Sequence, residues 1–159
     1  MPEDSAPGMR GGVRIGVDVG RARVGVARSD RDGLLATPVQ TLARETALDG
    51  IVALVAELEP LELVVGLPLS LSGGDTPSTD DARTFAGELA VRAGVPVRLV
   101  DERLSTVSAQ RELHRSGRSV RASRAVIDQV AAVIILQNAL DAERASGRAP
   151  GAPLDPEGS

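Results

Sequence analysis

The chain divides by period. Over Val13–Val19 apolar residues alternate, so Ile15, Val17 and Val19 take one face of a strand and Gly16, Asp18 and Gly20 the other. A turn at Gly20–Arg23 returns the chain as a second strand, Val24–Ser29. After the turn signal at Asp30–Gly33 a third strand follows, Leu34–Leu42, in which Pro38 marks an edge or a bulge. The chain thus opens as a three-stranded antiparallel meander. The period then lengthens: Ile51, Val52, Leu54, Val55 and Leu58 predict a helix over Ala47–Glu59, ended by Pro60.

Leu61–Gly66 is a short, nearly continuous apolar run, the signature of a buried parallel strand. Leu67–Thr79 is a long loop rich in Ser, Gly, Pro and Thr, of a length that in compact domains goes with function or mobility. Ser78 or Thr79 is placed to cap a helix over Asp80–Ala93, closed by Gly94. Val97–Val100 is a fifth strand that runs straight into Asp101, Glu102 and Arg103. Ser105 or Thr106 caps a helix to about Ser116, and Ser123 caps a last helix from Arg124 to Ala145. Residues 1–12 and 146–159 are Gly/Pro-rich and read as disordered tails around one domain, 13–145. The order βββαβαβαα is α/β in class. It predicts a mixed five-stranded sheet, an antiparallel meander plus two crossover strands, with helices on both faces. That is the order of the ribonuclease H-like fold.

Composition narrows the chemistry. The chain has no cysteine, which excludes disulfides, zinc-thiolate sites and cysteine nucleophiles and fits a cytoplasmic location. Residues 1–12 lack the apolar core of a signal peptide, and no apolar run approaches the length of a membrane span. Phe85 is the single aromatic residue, so base stacking on aromatic platforms is not the expected binding mode. The formal net charge is −4, yet all 18 basic residues are arginine, and six of them (103, 111, 115, 118, 121 and 124) fall in a stretch with one acid, Glu112. Such a run is a solvated face or the footprint of a phosphate backbone.

Three acidic positions carry the candidate chemistry. Asp18 sits on a strand face otherwise made of glycine, where a bare carboxylate needs a partner or a metal; the plain alternative is a strand-end residue that opens a turn. Asp101 and Glu102 end the fifth strand, at the edge where crossover sheets place their sites. Asp128 lies beside an apolar stripe in the last helix, where a bond to Arg124 is the structural alternative. Carboxylates converging on one sheet edge are hard oxygen ligands that suit Mg²⁺ or Mn²⁺. Two such ions activate a water and stabilise the leaving oxygen in phosphodiester hydrolysis. His114, the one histidine, has no acidic residue beside it in the sequence and reads as solvated.

Four blocks carry a family resemblance: Gly16–Asp30 (GVDVGRARVGVARSD), Val65–Leu69 (VGLPL) with Gly73 and Thr79 downstream, Val100–Val107 (VDERLSTV), and Ile127–Leu136 (IDQVAAVIIL). In order, they resemble the YqgF or RuvX family, Holliday-junction resolvase-like nucleases assigned to pre-16S ribosomal RNA processing. The resemblance implies a ribonuclease H-like nuclease with an acidic triad at Asp18, Glu102 and Asp128, which would also ligate the metal. It implies site-lining roles for Arg23, Arg103 and Thr106, and the arginine stretch adds Arg111 and Arg124 as substrate contacts. Related resolvases carry an acid at the end of the fourth strand. Here that strand ends Val65-Gly66-Leu67-Pro68, and the acid stands on the fifth strand as Asp101 or Glu102. Glu102 is preferred, since alternation sets it opposite Leu99 and Asp101 and its arm is longer. The expected partner is nucleic acid, pre-16S rRNA or branched DNA, with no membrane; a homodimer would match a two-fold junction. A non-catalytic RNA-binding module of the same fold is the competing reading. An actin-like phosphotransferase would need a second domain and a second Asp-x-Gly strand, which the chain does not have.

Overall fold

The computed structural model describes residues 9–102 and 120–154, with side chains in the last helix from Gln129 onward. The elements run β1 (Arg14–Val19), β2 (Arg23–Ser29), β3 (Ala36–Ala43), α1 (Arg44–Leu58), β4 (Glu62–Leu67), α2 (Pro77–Ala93), β5 (Val97–Asp101), α3 (Val120–Ser146) and β6 (Ala152–Leu154). They build a six-stranded sheet in the order β3-β2-β1-β4-β5-β6. The meander β1–β2–β3 is antiparallel, with a register shift after Val26 near Pro38. Strands β4 and β5 run parallel to β1, which makes β4 central and buried along its whole length.

Alternation along the strands sorts two cores. Ile15, Val17, Val24, Val26, Leu63 and Val65 pack with Ile51, Val55, Phe85 and Leu89 of α1 and α2 on one face. Ala27, Val64, Ala131, Ala132, Ile135, Leu136 and Ala139 form the other, against α3. Helices therefore cover both faces, as the element order predicts. The second helix starts earlier than its polar run suggests. Thr76 is the cap: its Oγ accepts from Thr79 N–H, and Thr79 Oγ accepts from Thr76 N–H, with Pro77 at the first helical position. The helix expected over residues 105–116 lies outside the described residues.

Two expectations about the chain ends are corrected. The sheet has six strands, not five, because β6 comes from the stretch that reads as a disordered tail. It pairs antiparallel with β5 through Val97↔Leu154, Arg98↔Pro153 and Leu99↔Ala152. Gly151 makes the approach possible: its φ is +63°, and an added Cβ would fall 2.1 Å from Leu99 O. On the outermost strand Pro153 removes no ladder bond that the sheet needs. Three residues are too few to show a strand period.

At the other end, Met9 is buried in the α3-side core and Gly12 N–H donates to Arg31 O (2.8 Å). Arg10 forks between Glu62 (Nη2–Oε2, 2.8 Å) and Glu143 (Nε–Oε2, 2.9 Å), and Arg14 Nη2 reaches Glu143 at 3.2 Å. Arg14, Glu62 and Glu143 are each 1% exposed. Two cations and two anions thus close a neutral network that joins the segment before β1 to β4 and to the end of α3. Burial alone would push the Glu143 carboxyl up, but hydrogen bonds from Arg10 and the charge of Arg14 outweigh it and hold the group below its ordinary 4.5.

A carboxyl so depressed stabilises the fold above its unfolded pKa, and that contribution is lost as pH falls through the folded value. Glu143→Gln leaves Arg14 buried without its counter-charge and is expected to cost about 3–5 kcal/mol. Thermal melts from pH 7 to pH 3 check both points: wild type should lose Tm below about pH 4.5, and the variant should start lower with a flatter profile over that window.

Candidate active site

The site begins with what surrounds Asp18. Its strand neighbours on the same face, Gly16 and Gly20, carry no side chain, and its register partner on β2 is Gly25. On the other side the β1–β4 register runs Gly16↔Val64 and Val17↔Val65, and one further step sets Asp18 level with Gly66. All four neighbours in the sheet are glycine, so the carboxylate stands in a clearing on the α3 face. It is nevertheless only 1% exposed. On the same face helix α3 rests on the strand backbone: a Cβ built on Gly16 would lie 2.7 Å from Leu136 Cβ and 3.1 Å from Ala132 O.

Glu102 enters the clearing from the far side of Gly66. A Cβ on Gly66 would meet Glu102 Oε2 at 3.0 Å, Glu102 Cγ at 3.1 Å and Ile135 Cδ1 at 2.5 Å. Glu102 is 5% exposed, and alternation through Val100, which packs in the α3-side core, puts it on the same face as Asp18. Asp101 follows Leu99 toward the opposite face and is half-buried. A cavity of about 730 Å³ reaches Asp101 and Glu102 from the β5–β6 side, walled by Leu67, Leu99, Ile135, Ala139 and Pro150. Of the two acids that the sequence left open, Glu102 is therefore the one that shares a face with Asp18, and the space over Gly66 lets it reach inward.

Helix α3 runs antiparallel to β1. Glu143 meets Arg14, and Leu136 and Ala132 meet Gly16. Two strand residues rise about 6.6 Å and four helical residues about 6 Å. The stretch of helix level with Asp18 therefore lies about one turn before the stretch over Gly16. The side chains of Asp128 and Arg124 are not among those described, and Arg103, Thr106, Arg111 and His114 lie outside the described residues. Arg23 is described: it precedes Gly25 by two residues in β2, so it shares the face of Asp18, and it is half-buried.

Among the described residues no group of three or more His, Cys, Asp or Glu side chains is gathered to hold a metal ion. What stands there is a pair of buried carboxylates, Asp18 and Glu102, on one face with a glycine between them. Hard oxygen donors of this kind fit Mg²⁺ or Mn²⁺ and not a soft metal. Gly25 and Gly66 are the members of the site that the sequence reading does not single out. Each stands in a quoted block, but its place beside Asp18 depends on strand register.

Comparison with known proteins agrees with this architecture. The chain is 60% identical over 148 residues to a protein of Clavibacter michiganensis subsp. michiganensis, covering 91% of this chain and 92% of the relative. It is 57% identical over 151 residues to one of Leifsonia xyli subsp. xyli, covering 93% and 97%. Both are named "Putative pre-16S rRNA nuclease". Among solved structures, T. thermophilus RuvC in complex with Holliday junction substrate superposes with a TM-score of 0.55 at 16% identity, covering 89% of this chain and 99% of that one. At that identity the likeness speaks for the fold, which is ribonuclease H-like. A family model described as "RuvX: Holliday junction resolvase" matches residues 12–142, a span that takes in Asp18, Glu102 and Asp128. With the close relatives along nearly the whole chain, that match makes this protein a member of the RuvX family.

Proposed function

We propose that this protein is a metal-dependent nuclease that hydrolyses phosphodiester bonds in structured nucleic acid, and that its substrate is the 5′ end of pre-16S rRNA. The observation that carries the reading is the pair of buried carboxylates, Asp18 and Glu102, on one face of the sheet, with Glu102 over Gly66, in a chain whose close relatives bear the pre-16S rRNA nuclease name. Asp18, Glu102 and Asp128 are the residues assigned to the metal and to catalysis. Bound Mg²⁺ or Mn²⁺, as two ions, would supply a nucleophilic water at neutral pH and charge for the leaving oxygen.

The chain supplies the rest. Burial keeps bulk water from the Asp18 carboxylate. Glu102 reaches across the side-chain-free strand position at Gly66 to the same face. Arg23 stands on that face as a phosphate contact, and Arg103, Thr106, Arg111 and Arg124 are assigned the substrate strand on either side. Such an enzyme would work in the cytoplasm with the ribosome precursors, and none of its described helices is long and apolar enough to cross a membrane.

The family description supports one further reading, cleavage of four-way DNA junctions, for which a homodimer would match the two-fold substrate. One assay separates the readings: a 5′-extended small-subunit rRNA precursor and a four-way DNA junction, each with Mg²⁺ or Mn²⁺, wild type beside Asp18→Asn. The expected result is RNA cleavage that Asp18→Asn lowers about 10²–10³-fold, the scale of losing one group that stabilises transition-state charge. Selective cutting of the junction would assign the chain to recombination. Equal RNA binding by both proteins without cleavage of either substrate would leave only a binding module. Gly66→Ala probes the clearing itself. The added methyl displaces Glu102, so cleavage should fall at least about tenfold while overpacking costs about 1–3 kcal/mol, read from the cleavage rate and the melting temperature together.

A further inference from the structure

The turn between β1 and β2 is held by the first residue of α1. Gly20 N–H donates to Arg23 O (2.9 Å) and closes the turn, and a Cβ at Gly20 would fall 2.6 Å from that oxygen. Two carbonyls of the turn accept from Arg44: its backbone N–H donates to Ala22 O (3.0 Å) and its Nη1 to Gly20 O (2.9 Å). The same guanidinium forks onto Asp81 of α2, with Nη1–Oδ2 and Nη2–Oδ1 both at 2.8 Å. It also lies 5.0 Å above the ring of Phe85, one helical turn further along α2. Exposed ion pairs contribute little, but a bidentate fork stacked on a buried ring is preorganised in a way a lone surface pair is not. The hydrogen bond with Asp81 raises the pKa of Arg44, and the same bond lowers that of Asp81, so both stay ionised through the neutral range.

The arrangement has a charge consequence. A recess of about 420 Å³ beside the turn is lined by Arg21, Arg44 and Asp81. Arg44 and Asp81 neutralise each other, so the surplus charge of the recess is that of Arg21, which is exposed at the tip of the turn. Arg23 leaves the turn on the other side, toward Asp18, and Asp18 itself precedes the turn by two residues. A strand of nucleic acid crossing this end of the sheet toward Asp18 therefore passes the turn.

We propose that the β1–β2 turn is a phosphate-binding element for the substrate strand, in which Arg21 is a contact residue and Arg44, through Asp81 and Phe85, is the residue that positions the turn beside Asp18. The inference rests on nucleic acid being the substrate; it does not require that the strand be cut.

The test is the salt dependence of binding to the 5′-extended rRNA precursor, measured by fluorescence anisotropy with EDTA so that no strand is cleaved. Arg21→Gln should lower the slope of log K against log salt by about 0.7–0.9, one phosphate contact, and weaken binding about fivefold near 0.1 M salt. Arg44→Lys keeps the charge but cannot form the fork, and it should lose the same slope increment; the double variant with Arg21→Gln should lose no more than either alone. A charge-balanced pair, Arg44→Gln with Asp81→Asn, should do likewise and stands in if Arg44→Lys does not fold. A wild-type slope in Arg21→Gln would overturn the contact, even if the protein cleaves RNA. A lowered melting temperature with a wild-type slope in the Arg44 variants would make Arg44 a strut for the fold and overturn its positioning role. Loss of the increment would support the proposal whether or not wild type cleaves.

Discussion

Helix α3 lies directly on the backbone of β1 and β4, and the candidate site depends on that approach. The two faces of the sheet are built differently for it. The face under α1 and α2 is filled with Ile, Leu, Val and Phe, which hold those helices away from the strands. The face under α3 meets the helix with Gly16 and Gly66 in the sheet and Ala131, Ala132 and Ala139 in the helix. Small residues on both partners let the two backbones come close. A carboxylate on β1 is thereby buried with glycine as its neighbour in the sheet, and the space left at Gly66 is open to an acid from β5. A larger residue at Gly16 would push on a helix backbone oxygen, which cannot turn aside as a side chain can.

The opposite end of the same helix fixes its axial position. Glu143 is gripped by Arg10 and Arg14, and Arg10 is tied in turn to Glu62 at the start of β4. Where alanine meets glycine, apolar packing alone sets the helix's axial position only loosely. A buried ion network is directional and supplies the register that small residues cannot. Because α3 runs antiparallel to β1, fixing Glu143 against Arg14 also fixes which helix position stands level with Asp18. The network at one end of the sheet and the acids at the other are thus parts of one alignment.

Much of this was legible in the sequence, and the remainder fails for identifiable reasons. Alternation placed Asp18 on the glycine face and set Glu102 on the side of its strand opposite Asp101, since both follow from a period of two within one strand; that Glu102 and Asp18 share a face depends on register. The meander and the parallel strands followed from the change of period. Gly25 and Gly66 were invisible as walls of the site because their role exists only across strands, and register is not written in one strand. Strand β6 is three residues long and held by the fit of Gly151 against Leu99, so no pattern announces it. Arg10 pairs with acids 52 and 133 residues away, and to a local reading it is an arginine in a polar tail. Arg44 begins a helix, where a cation is usually solvated, and only the tertiary fold shows it bound to Asp81 and the turn.

Net charge is a poor guide to how such a protein meets a polyanion. The formal charge of −4 argues against nucleic acid only if the charges are spread evenly. They are sorted. Arg10 and Arg14 are neutralised by Glu62 and Glu143 at the start of β1, Arg83 by Asp75, Arg92 by Asp49 and Arg144 by Asp141. These pairs leave little field beyond their own contacts once salt screens them over about 8–10 Å. Arg44 is neutralised too, but its partner is the means of holding a turn whose own arginines, Arg21 and Arg23, stand at the carboxylate end of β1. The acids that give the chain its negative sum thus serve partly to fix cations in place. What a strand of nucleic acid would meet at this end of the sheet is the exposed cation at the tip of that turn, Arg21.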